Sequence, residues 1–233
     1  MAKRGKSKHK RILKLKRKEK LKAGKLVRFD LQNSPKKCKG IKNKYCYQTN
    51  IHNLIYKGAT FENVRYQASN ITKCNYREAS LTGVDFCNSN LKNSDFRNSK
   101  LKNVIFFNCN LKNCDFEGTK MEDVYFICTN INSAKNLILN SKCEVITTYP
   151  KLNLSKRMNE NINALAGNYN IFKPHVIHVT ENKPNFWIIK ILLDYVDESN
   201  LERCFYALQK RKDTRNFCSM FEYKQFIDSY LKR

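Results

Sequence analysis

Thirteen Lys and Arg residues lie within the first 25 positions, and this density of cations is the strongest chemical signal in the sequence. Such cations displace counterions from nucleic-acid phosphates and gain free energy by doing so, with almost no sequence preference. We therefore predict a nucleic-acid-binding arm over residues 1–25. Because so many like charges repel one another, the free arm is expected to be disordered or only partly helical. Its binding residues are Lys3, Arg4, Lys6, Lys8, Lys10, Arg11, Lys14, Lys16, Arg17, Lys18, Lys20, Lys22 and Lys25.

Other interpretations of the arm stay open at this point. It could be a solubilising tail, or it could bind an acidic protein or an anionic lipid surface, although its aliphatic residues are too few for a membrane-surface helix. We favour RNA, including ribosomal RNA, over DNA, because the arm is rich in Lys and no helix-turn-helix or zinc-finger pattern follows it. Extensions of this kind also resemble those of ribosomal proteins.

Charge is distributed unevenly along the chain. Residues 1–50 contain 19 Lys and Arg against Glu19 and Asp30, a net charge of +17, whereas residues 51–135 carry +3 and residues 136–233 carry +5. No run of eighteen apolar residues predicts a membrane span. The basic start lacks the apolar run and cleavage site of a secretory signal. We expect an intracellular, cytoplasmic location.

Few other residues have spacings that suggest chemistry. Cys38 and Cys46 lack the spacing of a zinc knuckle, and the ten cysteines are interpreted as reduced thiols. His175 and His178 would lie on opposite faces of a strand, which disfavours a shared metal ion. No nucleophile elbow, phosphate loop, zinc-protease signature or paired-carboxylate arrangement is present. We therefore predict no catalytic residue, no metal and no cofactor.

Residues 51–131 repeat a five-residue phrase whose third member is always apolar or aromatic. A period of five fits neither a helix nor a strand, but it suits a short strand followed by a corner. The first member is small, and the fifth is mostly Asn, Gly or Asp, which tolerate the positive φ of a tight turn. The third members are Ile51, Tyr56, Phe61, Tyr66, Ile71, Tyr76, Leu81, Phe86, Leu91, Phe96, Leu101, Phe106, Leu111, Phe116, Met121, Phe126 and Ile131.

The large side chains also line up at a spacing of twenty residues. Two of the four resulting columns are mainly aliphatic and two are aromatic, as in Tyr66, Phe86, Phe106 and Phe126. The pattern predicts a four-sided coil of four phrases per turn, stacked about four coils high.

These phrases resemble the pentapeptide-repeat family, whose members fold as a right-handed quadrilateral β-helix. The resemblance implies a mainly β fold over residues 48–137. It also raises a functional alternative, because the quinolone-resistance members of the family bind DNA gyrase and topoisomerase IV and are thought to mimic DNA through an acidic rod. Here the repeated region is slightly basic and lacks the acidic column that mimicry needs.

The segments on either side of the repeat are predicted to be a linker and an α-rich module. Residues 26–47 are a linker and N-terminal cap whose last residues begin the first coil, with Leu26, Val27, Phe29 and Leu31 as covering side chains. Residues 138–233 form a C-terminal module of two short strands, 143–149 and 175–179, and three helices, 186–196, 199–212 and 221–233. We expect this module to close the upper end of the rod, with Ser199 and Glu202 as a capping box.

Ile105, Phe107, Tyr125 and Ile127 fall at outward positions of the last coils and form an apolar patch. Such a patch requires a cover. The C-terminal region folding back is the favoured cover, and a second copy of the chain or another partner is the alternative.

The sequence as a whole predicts a non-catalytic scaffold protein that binds nucleic acid through its basic arm and uses the β-helix as a rigid docking surface. The two alternatives are a topoisomerase-binding protein that confers quinolone-type protection and a structural homodimer.

Overall fold

The protein is described from a computed structural model, which covers residues 38–232 together with Leu15 and Glu19. A six-stranded parallel sheet runs through the first half of this range, in the order β1, β3, β5, β6, β7, β8. Two shorter strands, β2 (Asn50–His52) and β4 (Asn70–Thr72), pair in parallel on another side of the coil. The sheet strands are β1 (Lys42–Tyr47), β3 (Thr60–Gln67), β5 (Ser80–Cys87), β6 (Lys100–Phe107), β7 (Lys120–Ile127) and β8 (Cys143–Ile146).

Through most of the stack, each strand residue pairs with the residue twenty positions away on the next strand, as Tyr66 does with Phe86 and Phe86 with Phe106. The predicted corners are confirmed, because Asn63, Asn88 and Asn103 have φ of 51°, 49° and 51°. Asn is among the few residues that adopt this left-handed conformation at low cost. Repeated corners fold the chain into a four-sided β-solenoid.

The core consists of stacked rings, as the columns predict. In the column Tyr56, Tyr76, Phe96 and Phe116, successive ring centroids lie 5.2, 4.9 and 5.0 Å apart. The opposite aromatic column meets this one edge to face, with Phe106 6.2 Å from the Phe96 centroid. The aromatic walls therefore face each other across the interior.

The stack is longer than the four coils counted from the repeated phrases. Strand β1 lies within the range predicted as linker and cap, and it pairs with β3. Strand β8 lies in the segment predicted to open the C-terminal module, but it pairs in parallel with β7. The solenoid thus has about five turns. The predicted cap residues Leu26, Val27, Phe29 and Leu31 lie outside the described residues.

Five helices and a small hairpin follow the solenoid. The hairpin joins β9 (His178–Thr180) to β10 (Lys183–Pro184). The three predicted helices are present as α3 (Phe186–Tyr195), α4 (Glu198–Gln209) and α5 (Met220–Leu231), whereas α1 (Lys156–Leu165) and α2 (Tyr169–Phe172) lie between the two predicted strands, where no helix was predicted. The three Asn residues of α1 lower its intrinsic helix propensity. The helix forms because Met158, Ile162 and Leu165 recur on one buried face.

The predicted capping box is wrong in position. Helix α4 begins two residues earlier, where the side chain of Asp197 accepts a hydrogen bond from the backbone N–H of Asn200. Glu202 instead reaches across to α1. Its carboxylate accepts from Ser155 Oγ at 3.1 Å and pairs with Arg157 at 3.2 Å.

The helical module packs along the flank of the solenoid rather than over its upper end. Asn63 Oδ1, at one corner, accepts a hydrogen bond of 2.7 Å from Ser219 Oγ. At the same corner of the next coil, a Cβ on Gly83 would lie 2.4 Å from the Cβ of Phe221, and the φ of Gly83 is +63°. Glycine is therefore required there for close approach of α5. No helix within residues 38–232 is long and apolar enough to cross a membrane.

We predict that Tyr76→Phe leaves the free energy of unfolding unchanged or raises it by up to about 1 kcal/mol. The Tyr76 hydroxyl is buried and has no hydrogen-bond partner among the described residues, so its removal relieves a desolvation cost. Phe96→Ala, in the same column, is the contrasting variant and should cost about 3 to 5 kcal/mol. Urea denaturation of the three chains measures both effects. A large loss in Tyr76→Phe would reveal a hydrogen bond to that hydroxyl.

A candidate nucleic-acid interface

A cleft of about 450 Å³ lies where the first strand of the solenoid meets the helical module. One wall comes from β1 and the other from the α2 turn and the segment before α5. We call this the tyrosine cleft. Its lining residues are Asn43, Lys44, Tyr45, Tyr47, Asn170, Lys173, Pro174, Arg215 and Cys218.

Two tyrosines of β1 give the cleft an aromatic wall. Tyr45 and Tyr47 are two positions apart on the strand, so both side chains point outward, and their rings stack with centroids 6.4 Å apart at 29°. Tyr45 is half-buried, and its hydroxyl donates to Gln67 Oε1 at 3.2 Å. Tyr47 is 56% exposed, and its hydroxyl accepts from Gln48 Nε2 at 3.2 Å. Tyr47 therefore presents an exposed ring beside that of Tyr45.

Three cations line the same cleft. Lys44 and Lys173 are exposed, and the ammonium group of Lys173 lies 5.1 Å from the centroid of the exposed Tyr169 ring. Arg215 forms two hydrogen bonds with the Asp213 carboxylate, at 3.0 and 2.9 Å. These hydrogen bonds hold the pKa of Asp213 at about 2. Lys44 pairs in register with the buried Val64, on the face of β1 opposite the two tyrosines. Lys173 thus carries the net positive charge of the cleft.

A buried ion pair lies directly above Tyr45 in the same outward column. Arg65 pairs in register with Tyr45 and with Asp85, and Arg65 Nη1 lies 3.0 Å from Asp85 Oδ2. Both side chains are nearly inaccessible to solvent. Arg65 Nη2 donates to the carbonyl of His175 at 2.8 Å, and Asp85 Oδ2 accepts from the backbone N–H of Met220 at 3.0 Å. The pair therefore joins the solenoid to two segments of the module.

Burial dominates the electrostatics of this pair. Desolvation raises the pKa of the Asp85 carboxyl to about 6, and the neighbouring Arg65 and the Met220 N–H oppose that rise without cancelling it. One carboxylate oxygen, Oδ1, has no hydrogen-bond partner among the described residues. Arg65 stays protonated because a guanidinium does not lose its proton in the physiological range.

A second basic surface runs along the outer side of another wall. Lys100 and Lys120 pair in register on neighbouring strands, and Lys102 is neutralised by Glu122 at 2.8 Å. With Lys142 these side chains line a groove of about 290 Å³ that contains Ser80 and Thr82 but no aromatic side chain. This lysine groove could hold phosphates. Its ammonium and hydroxyl groups would contact phosphates and would not distinguish one base, or one kind of strand, from another.

The predicted arm cannot be placed in this geometry. The thirteen arm cations lie outside the described residues, so their contribution stays a prediction. Of the second basic cluster in the sequence, Lys210, Arg211, Lys212 and Arg215, only Arg215 lines the tyrosine cleft. Arg211 lies over the rings of Phe217 and Phe226, and Lys210 over Tyr206.

The four residues of the apolar patch contact the helical module. Ile105 and Ile127 are fully buried in one hydrophobic cluster with residues of α1, α3, α4 and α5. Phe107 is half-buried, with its ring centroid 6.1 Å from that of Trp187. Tyr125 is half-buried beneath the buried ammonium group of Lys224, which lies 5.5 Å from its centroid. The module thus covers the patch within a single chain.

The remaining candidate residues have structural surroundings. His178 is buried and its Nε2 lies 2.9 Å from the carbonyl oxygen of Ile162, while desolvation lowers the pKa of both His178 and His175. No group of three metal-ligating side chains occurs within the described part of the chain. All ten cysteines are free thiols, and burial raises the pKa of Cys87 and Cys114 to about 12.

Sequence reasoning missed Arg65, Asp85 and the two tyrosines of β1. A signal for the first pair was present, because the twenty-residue register places Arg65 and Asp85 on adjacent coils in one outward column. Tyr45 and Tyr47 gave less signal, since they precede the repeated phrases. Arg215 gave a weak signal as a member of the second basic cluster, and Lys173 gave none, because only the folded module brings these two residues opposite β1.

The geometry defines a four-sided β-solenoid with a helical module docked along one flank. A model of the family described as pentapeptide repeat region matches residues 49–135. Residues 49–135 are therefore a pentapeptide-repeat region, and the family resemblance of the five-residue phrases is confirmed. No curated protein matches the sequence.

Several solved structures are similar to the solenoid part of the chain. Rfr23, a pentapeptide repeat protein from the cyanobacterium Cyanothece 51142, has 12% identity and a TM-score of 0.39, covering 46% of this chain and 87% of its own. QnrB1, a plasmid-mediated fluoroquinolone resistance protein, has 18% identity and a TM-score of 0.30, covering 47% and 56%. HetL, involved in heterocyst differentiation regulation in Nostoc sp. strain PCC 7120, has 15% identity and a TM-score of 0.26, covering 36% and 46%. The chain thus spans about half the length of the last two proteins.

We predict that Asp85 makes stability fall as pH rises. Because its folded pKa of about 6 lies above the value of 3.8 for an ordinary Asp, proton binding favours the folded state below about pH 4, and this contribution is lost through about pH 6. The unfolding free energy of the wild type, relative to Asp85→Asn, should fall by up to about 3 kcal/mol between about pH 4 and pH 7. Urea titrations of both chains measure the difference. A relative stability that rises with pH would mean that the Arg65 pairing outweighs burial.

Proposed function

We propose that the protein is a non-catalytic interaction scaffold that binds nucleic acid, with RNA, including ribosomal RNA, favoured over DNA. The basic arm makes the first contact, and the solenoid is the rigid surface on which the bound strand docks. The observation that carries this proposal is the placement of charge. Of the net +25 of the chain, +17 belongs to its first 50 residues, and the rest of the chain is close to neutral for its length.

The point where the arm meets the solenoid supports the proposal. The backbone N–H of Cys38 donates to the carbonyl of Ile55 at 3.0 Å, and the carbonyl of Lys39 accepts from Thr60 N–H at 3.3 Å. The described chain thus starts on the first coil, and the tyrosine cleft begins only a few residues later at Asn43. Because the arm is joined through the chain to this end of the solenoid, a strand bound by the arm is tethered to the same end.

The rigidity of the solenoid supports its role as a docking surface. Successive coils are connected by backbone hydrogen bonds and by continuous ring stacks. A surface of this kind binds with little rearrangement, so the partner meets a preformed pattern of charge and shape.

The surroundings of Asp85, whose pKa is raised by burial, favour a scaffold over an enzyme. Asp85, whose carboxyl pKa is raised to about 6, is sealed beneath the helical module and has no access to a substrate. Its partners are Arg65 and a backbone N–H of α5. These contacts join two parts of the fold.

The family resemblance offers a topoisomerase partner as the alternative. Acidic side chains on the solenoid face are mostly neutralised, as in Lys42 with Glu62 at 2.7 Å and Lys102 with Glu122 at 2.8 Å. This surface disfavours DNA mimicry, which needs a continuous row of unpaired carboxylates. A gyrase supercoiling assay with a quinolone tests the alternative. Protection of gyrase by a chain lacking residues 1–25 would favour the topoisomerase partner over nucleic acid.

We predict that replacing the thirteen arm cations by Gln, in the full-length chain, weakens binding to both ribosomal RNA and duplex DNA. Each lost phosphate contact should reduce the magnitude of the salt slope by about 0.9 on duplex DNA and about 0.7 on a single strand. Fluorescence anisotropy over a series of salt concentrations measures affinity and slope together.

The matched control for this experiment replaces the arm Lys residues by Arg. This control keeps the charge and should keep the salt slope, because phosphate neutralisation depends on charge more than on side-chain shape. Equal affinity and an unchanged slope in the Gln chain would exclude the arm as the binding element.

A further inference from the structure

We propose that the tyrosine cleft binds unpaired bases of single-stranded nucleic acid, with Tyr47 as the platform on which a base stacks. This inference rests on the proposed function and adds a property that the arm cannot supply. A flexible cationic segment attracts any phosphate backbone. A fixed aromatic ring beside cations selects strands whose bases are free to leave the helix.

The ring of Tyr47 is suited to stacking because it is exposed and already oriented. The residue is 56% exposed, and the Tyr45 ring lies on one side of it with the ring centroids 6.4 Å apart. Tyr45 is itself held by Gln67 from the next coil. A base that stacks on the free face of Tyr47 therefore meets a ring that loses little conformational freedom on binding.

The cations and amides around the ring match the other parts of a nucleotide. Lys173 lines the cleft from the helical module, so a phosphate can be contacted from the wall opposite the tyrosines. Asn43 Oδ1 accepts from Asn63 Nδ2 at 2.9 Å, and Asn170 Nδ2 donates to Thr214 Oγ1 at 3.4 Å. The Asn43 amide N–H groups and the Asn170 amide oxygen can therefore pair with the exposed edge of an unstacked base.

The size of the cleft also selects single strands. Its volume of about 450 Å³ lies in the range of pockets that hold one small organic molecule, which corresponds to about one or two nucleotides. A base must enter with its face uncovered, whereas in a duplex both faces of each base are already stacked. The lysine groove on the other wall contains no aromatic side chain, so it cannot provide this selection.

The covalent connection between the arm and the first coil makes the two sites cooperative. The cleft lies at the first coil, since β1 is the edge strand of the sheet, and the described chain enters that coil from Cys38. A strand captured by the arm is held at a high effective concentration near the cleft. The cleft then adds affinity only for unpaired nucleotides.

The test compares Tyr47→Ala, Tyr47→Phe and Tyr206→Ala with the wild type, all as full-length chains. Tyr206 is the matched control, because it is 45% exposed but lies on α4 and does not line the cleft. The probes are a fluorescent oligouridylate and a duplex RNA of the same length, with dissociation constants measured by anisotropy. Thermal unfolding of each variant establishes that it is folded.

The expected result is selective. Tyr47→Ala weakens oligouridylate binding roughly tenfold, as the loss of one stacked base requires, and leaves duplex binding unchanged. Tyr47→Phe and Tyr206→Ala bind both probes like the wild type. Photo-crosslinking of 5-bromouridine-containing RNA to the unmodified chain should place a crosslink on β1 at Tyr45 or Tyr47.

Three results would overturn the inference, and they differ in what they say of the arm. If Tyr47→Ala binds oligouridylate like the wild type, or crosslinks lie only within residues 1–25, the arm acts alone and the proposed function stands. If Tyr47→Ala weakens duplex and single strand equally, the ring contributes no base stacking. If the wild type binds neither probe, the proposed function fails together with the cleft.

Discussion

The stacking of coils in register is the interaction on which the rest of the molecule depends. Burying one large side chain contributes about 1.5 to 3 kcal/mol, whereas ordering the backbone of a five-residue phrase costs about 5 to 10 kcal/mol. A single phrase is therefore unstable, and stability comes from neighbouring coils whose backbones pair and whose rings stack, as Phe96 does between Tyr76 and Phe116. Any side chain placed on the outside of this stack inherits a fixed position relative to the residue twenty positions away.

The helical module uses these fixed outward positions as its binding surface. Ile105 and Ile127 supply buried apolar area, and the Arg65 and Asp85 pair supplies directional contacts to His175 and Met220. An ion pair buried in this way, with one carboxylate oxygen that has no hydrogen-bond partner in the described part of the chain, contributes little net stability, because desolvation of both charges offsets their attraction. Its effect is better understood as specifying where the module docks, since any shift would leave two charges buried without partners.

Docking of the module along the flank also creates the surface proposed to bind nucleic acid. The tyrosines of β1 would be an ordinary exposed edge without Lys173 and Arg215 opposite them. The same docking covers the apolar patch, which removes the reason for a second copy to bind there. A rigid solenoid, a module fixed on its side and a cleft at the first coil are the parts of the fold on which the proposed function depends.

The sequence by itself determined the solenoid. With a five-residue period and a twenty-residue register, a four-sided coil buries the third residue of every phrase. The sequence also determined the corners at residues such as Asn63 and Asn103, and the helices α3, α4 and α5, whose apolar periodicity is strong. Only the tertiary structure decided the rest. Helix α1 depends on its buried face more than on its propensity, and β8 became a solenoid strand because β7 offered a free edge. The flank position of the module, the Asp85 contact to Met220 and the cleft between β1 and Lys173 join residues more than a hundred positions apart, and local sequence patterns carry no signal over such separations.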